Sequence, residues 1–159
     1  MLVSHRYRFI YTKTVKTAGT SIEAYFEPFC MDEGEWQPSH HREEYVSKSG
    51  IVGLRRSGAK RSGARFFNHM HAEMLRRRVG EQVWSTYFKF CAIRNPFDKM
   101  LSLFFFRLER GQDAAEGGLP IQIEFERWLE RRGPKADRNK YFVDGRFCMD
   151  HVIRFERLH

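Results

Sequence analysis

Cysteine is scarce in this chain of 159 residues. Cys30, Cys91 and Cys148 are far apart, odd in number and without metal-ligand spacing, which fits neither a disulfide framework nor a zinc site and suits a reducing compartment. No apolar run approaches the length of a membrane span, and Met1-Leu2-Val3-Ser4-His5-Arg6 lacks the apolar core of a secretion signal. The cytoplasm is the expected location. Internal repeats and long low-complexity tracts are missing too, which excludes a repeat architecture. His40-His41-Arg42-Glu43-Glu44 has the residue types of a metal site, but neighbouring histidines point different ways and nothing sets tetrahedral geometry, so no metal is expected.

What is present describes a globular domain. Hydrophobic residues make up 42% and aromatics 15%, with 15 Phe scattered along the chain, and the length suits a single domain over residues 1–159. A formal charge of +8 points to anionic partners without choosing among nucleotide, sulfated glycan, nucleic acid and acidic membrane. The basic residues cluster twice. Arg55, Arg56, Lys60, Arg61 and Arg65 lie among Ser and Gly and read as a solvated, mobile loop; Arg76-Arg77-Arg78 sits on an expected helix over 72–79 that Gly80 stops. Neither cluster carries a stacking pattern or a known nucleic-acid motif, which weighs against a nucleic-acid-binding domain.

The stretch 8–26 carries the most chemistry. Phe9, Tyr11 and Val15 suit a buried strand, Gly19 suits a tight turn, Thr20 or Ser21 suits a helix cap, and Ile22, Tyr25 and Phe26 share one helical face. A strand, loop and helix in that order bind anions through unpaired N–H groups and the helix dipole, and Lys16 adds a full charge. A plain turn with a solvated lysine is the competing reading. The stretch lacks the G-x-x-x-x-G-K-[ST] pattern, since its lysine precedes its only glycine. No acidic residue is evident to organise magnesium, which weighs against an ATP or GTP kinase.

Further strands are expected over 64–68, 87–93 and 151–155, beside the first over 7–15, and further helices over 99–110 and 123–131, with Asp98 as a cap. The architecture that follows is a three-layer α/β/α domain with a mainly parallel sheet. Arg94 falls at the C-terminal end of a strand, where open α/β sheets bind ligands, and Ser102 lies eight residues later on the following helix. His69 and His71, two apart at a strand end, face opposite ways, so one of them can share the cleft of the Lys16 loop.

Lys16-Thr17-Ala18-Gly19-Thr20-Ser21 and the run from Phe90 through Arg94-Asn95-Pro96-Phe97-Asp98 to Ser102 together resemble the two phosphate-binding motifs of PAPS-dependent sulfotransferases, in particular the carbohydrate-type and bacterial branch. The resemblance implies a fold like that of P-loop nucleotide hydrolases. It implies that Lys16 meets the sulfuryl group, that residues 17–21 hold the 5′-phosphate, and that Arg94 and Ser102 grip the 3′-phosphate. No metal is implied. His69 would be the general base, with His71 second and Glu73 third, and the acceptor would be a hydroxyl on a carbohydrate or small metabolite. Relatives usually run on past the segment matching residues 153–158, so the chain is expected to be a shortened member, for which PAPS or PAP binding without turnover is the alternative.

Overall fold

A computed structural model describes residues 1–55, 63–113, 119–133 and 136–158. The chain divides into two compact units, Met1–Ile93 with Asp137–His159, and Arg94–Ala136. The first unit is built on a six-stranded sheet. Its strands are β1 (Leu2–Ser4), β2 (Phe9–Thr12), β3 (Tyr45–Val46), β4 (Gly50–Val52), β5 (Phe88–Ile93) and β8 (His151–Arg154), while β6 (Phe142–Val143) and β7 (Arg146–Phe147) form a separate hairpin. The order is β3-β4-β1-β2-β5-β8. Here β2, β5 and β8 run parallel, as expected, and the sheet is extended beyond β2 by the antiparallel strands β1, β4 and β3.

Alternation along each strand sorts the core into two faces. Ile10, Val3, Ile51 and Cys91 point to one face, where they meet Ala72 and Leu75 of α2 (Ala72–Val79) and Trp84 of α3 (Glu81–Thr86). Phe9, Tyr11, Leu2, Val52, Phe90 and Ala92 point to the other, against Ile22 and Phe26 of α1 (Gly19–Phe26). Helices on both faces of a mixed sheet give three layers within this unit.

Several expected elements differ. The strand expected over 64–68 is reduced to a single bridge between Phe67 and Leu54, because Glu44 takes the Phe66 N–H and His69 turns left-handed at φ 56°. Gly50–Val52, expected in a loop, is a buried strand, since Val3 and Ile51 pair across the β1–β4 ladder. Arg55, expected to be solvated, is buried and ion-paired; Arg56, Lys60 and Arg61 lie outside the described residues. The hairpin β6–β7 turns on Asp144-Gly145, both at positive φ, the pairing that two-residue hairpins favour.

The second unit holds α4 (Pro96–Glu109) and α5 (Ile121–Arg132), which bury Met100, Phe104 and Trp128 with Phe125, Leu103, Leu108 and Leu129 around them. Asn95, not Asp98, caps α4: its side chain accepts from the N–H groups of Phe97 at 2.9 Å and Asp98 at 3.4 Å. Pro96 at the first helical position has no N–H to satisfy, so the cap belongs one residue earlier.

Candidate functional site

Between β2 and α1 the chain makes its turn at Lys16 and Ala18, with φ 58° and 56°, and not at Gly19. Two non-glycine residues in the left-handed region within three positions store local strain of about 1–3 kcal/mol each, a cost that clusters at ligand-binding loops. Ala18 is the N-cap of α1 and supplies no side-chain bond, so the cap expected of Thr20 or Ser21 is absent and both lie inside the first turn. The first-turn N–H groups of any helix lack intrahelical acceptors. Gly19 is required for another reason: a Cβ there would meet Lys13 Cγ and Cε at 2.9 Å.

The loop is tied down from below. Thr14 Oγ1 donates to the Ala92 carbonyl on β5, so the 2.8 Å contact between the Thr14 and Thr17 hydroxyls has Thr17 as its donor. Thr17 is therefore buried with its hydroxyl committed, and only its main chain is left for a ligand. The Val15 N–H donates to Asp137 Oδ2 at 2.9 Å. Lys16 is partly buried and Ser21 exposed.

Lys13, buried just past β2, donates to Glu23 Oε2 at 2.5 Å and to Thr20 Oγ1 at 3.2 Å. Glu23 also receives the Met1 ammonium at 2.6 Å and Arg55 Nη1 at 2.9 Å, and Glu27 receives Arg55 and, at 2.9 Å, Arg42. Burial opposes ionisation of Glu23, but the Met1 ammonium and Lys13 outweigh it and hold the carboxyl at about 2. Lys13, Arg42 and Arg55 thus surround two carboxylates at the foot of α1, together with the Met1 amine, whose pKa burial lowers, a surplus of positive charge that favours an anion nearby.

His69 Nδ1 lies 3.2 Å from the Lys13 carbonyl. A carbonyl only accepts, so Nδ1 carries the proton and Nε2 the lone pair. Burial lowers this imidazole to about 4, and the charges on Lys13 and the Met1 amine push the same way. It is therefore neutral at physiological pH. His71 is exposed, and its Nε2 accepts from Asn139 Nδ2 at 3.0 Å, which occupies the lone pair a base would use. Glu73 Oε1 accepts from Arg77 Nε at 2.8 Å.

A groove of about 470 Å³ adjoins the loop, lined by Ala18, Ser21, Ile22, Tyr25, Ile153 and Phe155 among others. Arg94 follows the last residue of β5 and is partly buried, and Ser102 lies in the second turn of α4, also partly buried; both belong to the second unit.

Lys13, Glu23 and Asp137 were not singled out by sequence. Glu23 did carry a signal, because it stands four residues after Gly19 and next to Ile22 on the buried side of α1, where a carboxylate needs a cation. Among the described residues no group of three potential metal ligands comes together, and no helix is long and apolar enough to cross a membrane. A family model described as the sulfotransferase family matches residues 1–157. Neither the curated proteins nor the solved structures contain a match.

Proposed function

Because the chain belongs to the sulfotransferase family, we propose that it moves the sulfuryl group of PAPS onto a hydroxyl of a carbohydrate or small metabolite by in-line displacement. The observation that carries the reading is the 16–21 loop itself: strained at Lys16 and Ala18, opening into the first turn of α1, and underlain by a surplus of buried positive charge. Those features fit a phosphosulfate. PAPS supplies an activated sulfuryl group and a stable leaving group, so the protein's task is to hold anions and move one proton.

In this proposal Lys16 and the main-chain N–H groups of residues 17–21 receive the 5′-phosphosulfate, with the Thr20 and Ser21 hydroxyls as further donors. Charge growing on the bridging oxygen is met by Lys16 and the loop amides, which are already oriented before reaction. Arg94 takes the 3′-phosphate through its planar guanidinium, and Ser102 adds a hydroxyl. The groove shared with Ala18 and Ser21 suits a planar, mostly apolar ring such as adenine.

His69 is the base. As the acceptor oxygen bonds to sulfur and the bond from sulfur to the 5′-phosphate breaks, the acceptor proton passes to Nε2, which the Lys13 carbonyl leaves unprotonated. An imidazole at about 4 is a weak base in the free protein, and the negative charge of a bound donor raises it toward the working range.

PAP is expected to raise the melting temperature, with Lys16→Ala and Arg94→Ala each removing the shift. A wild-type protein with no shift would refute the proposal. Transfer from labelled PAPS to any member of a panel of hydroxyl acceptors then separates turnover from binding alone.

A further inference from the structure

We infer that Lys13 is a positioning residue of the phosphosulfate loop, orienting the Thr20 hydroxyl so that its proton is offered to the bound anion; the inference rests on reading residues 16–21 as that loop. Lys13 Nζ is a donor with no lone pair, and it lies 3.2 Å from Thr20 Oγ1. One acceptor site of that oxygen is thereby taken, and the hydroxyl proton must turn away from the ammonium. A threonine hydroxyl without this neighbour would be free to rotate.

Charge balance alone does not explain the lysine. Glu23 already accepts from the Met1 amine at 2.6 Å and from Arg55 at 2.9 Å, so donors reach it without Lys13. The lysine is instead placed where its stem runs across Gly19, close enough that a Cβ would collide at 2.9 Å. Its ammonium is thus delivered to the first turn of α1 along a path that only glycine leaves open. With 4% exposure and its charge turned toward Glu23, Lys13 does not face a ligand itself. Contact falls to Lys16, three residues on, while Lys13 sets the geometry beneath it. The third link is the main-chain carbonyl that receives His69 Nδ1, so one residue touches both the anion loop and the imidazole.

The test is a double-mutant cycle on PAP affinity, measured by calorimetry in wild type, Lys13→Met, Thr20→Val and the combined variant. Each single change is expected to weaken PAP about 10-fold, and the combined variant to bind within about 2-fold of Thr20→Val, since Lys13 acts through that hydroxyl. Losses that multiply in the combined variant would overturn the inference while leaving the loop reading intact. A wild type that binds no PAP would instead remove the loop reading and the inference with it. Should Lys13→Met not fold, wild-type NMR decides. The Thr20 hydroxyl proton is expected to exchange slowly with water and to keep a single three-bond coupling to Hβ when PAP is bound. A hydroxyl that exchanges and averages like that of a solvent-exposed threonine would overturn the inference.

Discussion

Glu23 in the sheet-bearing unit and Asp113 in the helical unit each gather three donors, yet they are built from different surroundings. Around Glu23, with 1% of its side chain exposed, stand the Met1 ammonium, Lys13 and Arg55, none more than 6% exposed. Asp113 accepts from Arg107 Nε at 2.6 Å, Trp128 Nε1 at 2.7 Å and Arg132, and that last side chain is 44% exposed. Hydrogen bonds from Arg107, Trp128 and Arg132 hold Asp113 far below the usual carboxylate range despite some desolvation. In the helical unit water can replace a lost partner. Beneath the loop it cannot, so the first hub ties stability to the 16–21 loop while the second staples two helices at the surface.

The contrast breaks most directly by neutralising each hub in place. Glu23→Gln leaves buried cations facing one another and is expected to cost about 3–5 kcal/mol in urea unfolding. Asp113→Asn keeps an oxygen for Trp128 and loses only screened attraction, about 1 kcal/mol or less. Equal shifts in the two variants would mean that burial does not separate the hubs.

Acid sharpens the same comparison. The folded His69 sits at about 4, below its ordinary 6.5, so between those values the unfolded chain binds more protons and stability falls as pH drops. The loss over that window is about 3 kcal/mol at 1.36 kcal/mol per unit. Glu23 runs lower: held at about 2 against 4.5, it contributes fully above 4.5 and is lost as pH falls toward 2. The loop unit should therefore begin to weaken before Glu23 titrates. His69→Gln is expected to flatten the upper limb of a stability–pH curve and to leave the lower one in place; an unchanged upper limb would contradict the burial of that imidazole.

How much of this was legible in the sequence depended on whether a feature is local. Helix α2 was expected over 72–79 and occurs there, because its apolar positions and Gly80 are read within one stretch. The cores of β2, β5 and β8 were legible for the same reason, as short apolar runs. By contrast β4 has three residues and pairs with β1 across nearly fifty residues, which no window displays, and β1, though it pairs locally with β2, is itself only three residues long. A turn from strand into helix was legible between β2 and α1, but its mechanics differ from the expectation. Gly19 invited a positive φ, yet the strain sits on Lys16 and Ala18, and the glycine is answering a lysine just past the end of β2. Arg55 looked solvated among Ser and Gly because its carboxylate partners lie on α1 and the turn after it. Residues whose roles come from long-range charge pairing carry almost no local signature.

Gly19 offers the finest test of the contrast, set against Gly111 in the other unit. Gly19→Ala drives a methyl into the Cγ and Cε of a lysine pinned at its far end by Glu23 and Thr20, so the stem cannot simply swing aside. Overpacking of that kind costs about 1–3 kcal/mol. At Gly111 a Cβ would meet nothing within 4 Å, and the cost of alanine is the left-handed backbone alone, at φ 59°; that is about 1 kcal/mol. The two substitutions should differ in kind as well as in size. Gly111→Ala should lower the melting temperature and leave PAP affinity unchanged, whereas Gly19→Ala should weaken PAP as it displaces Lys13 from Thr20. Loss of stability at Gly19 with undiminished PAP affinity would separate the buried charge cluster from the loop it supports.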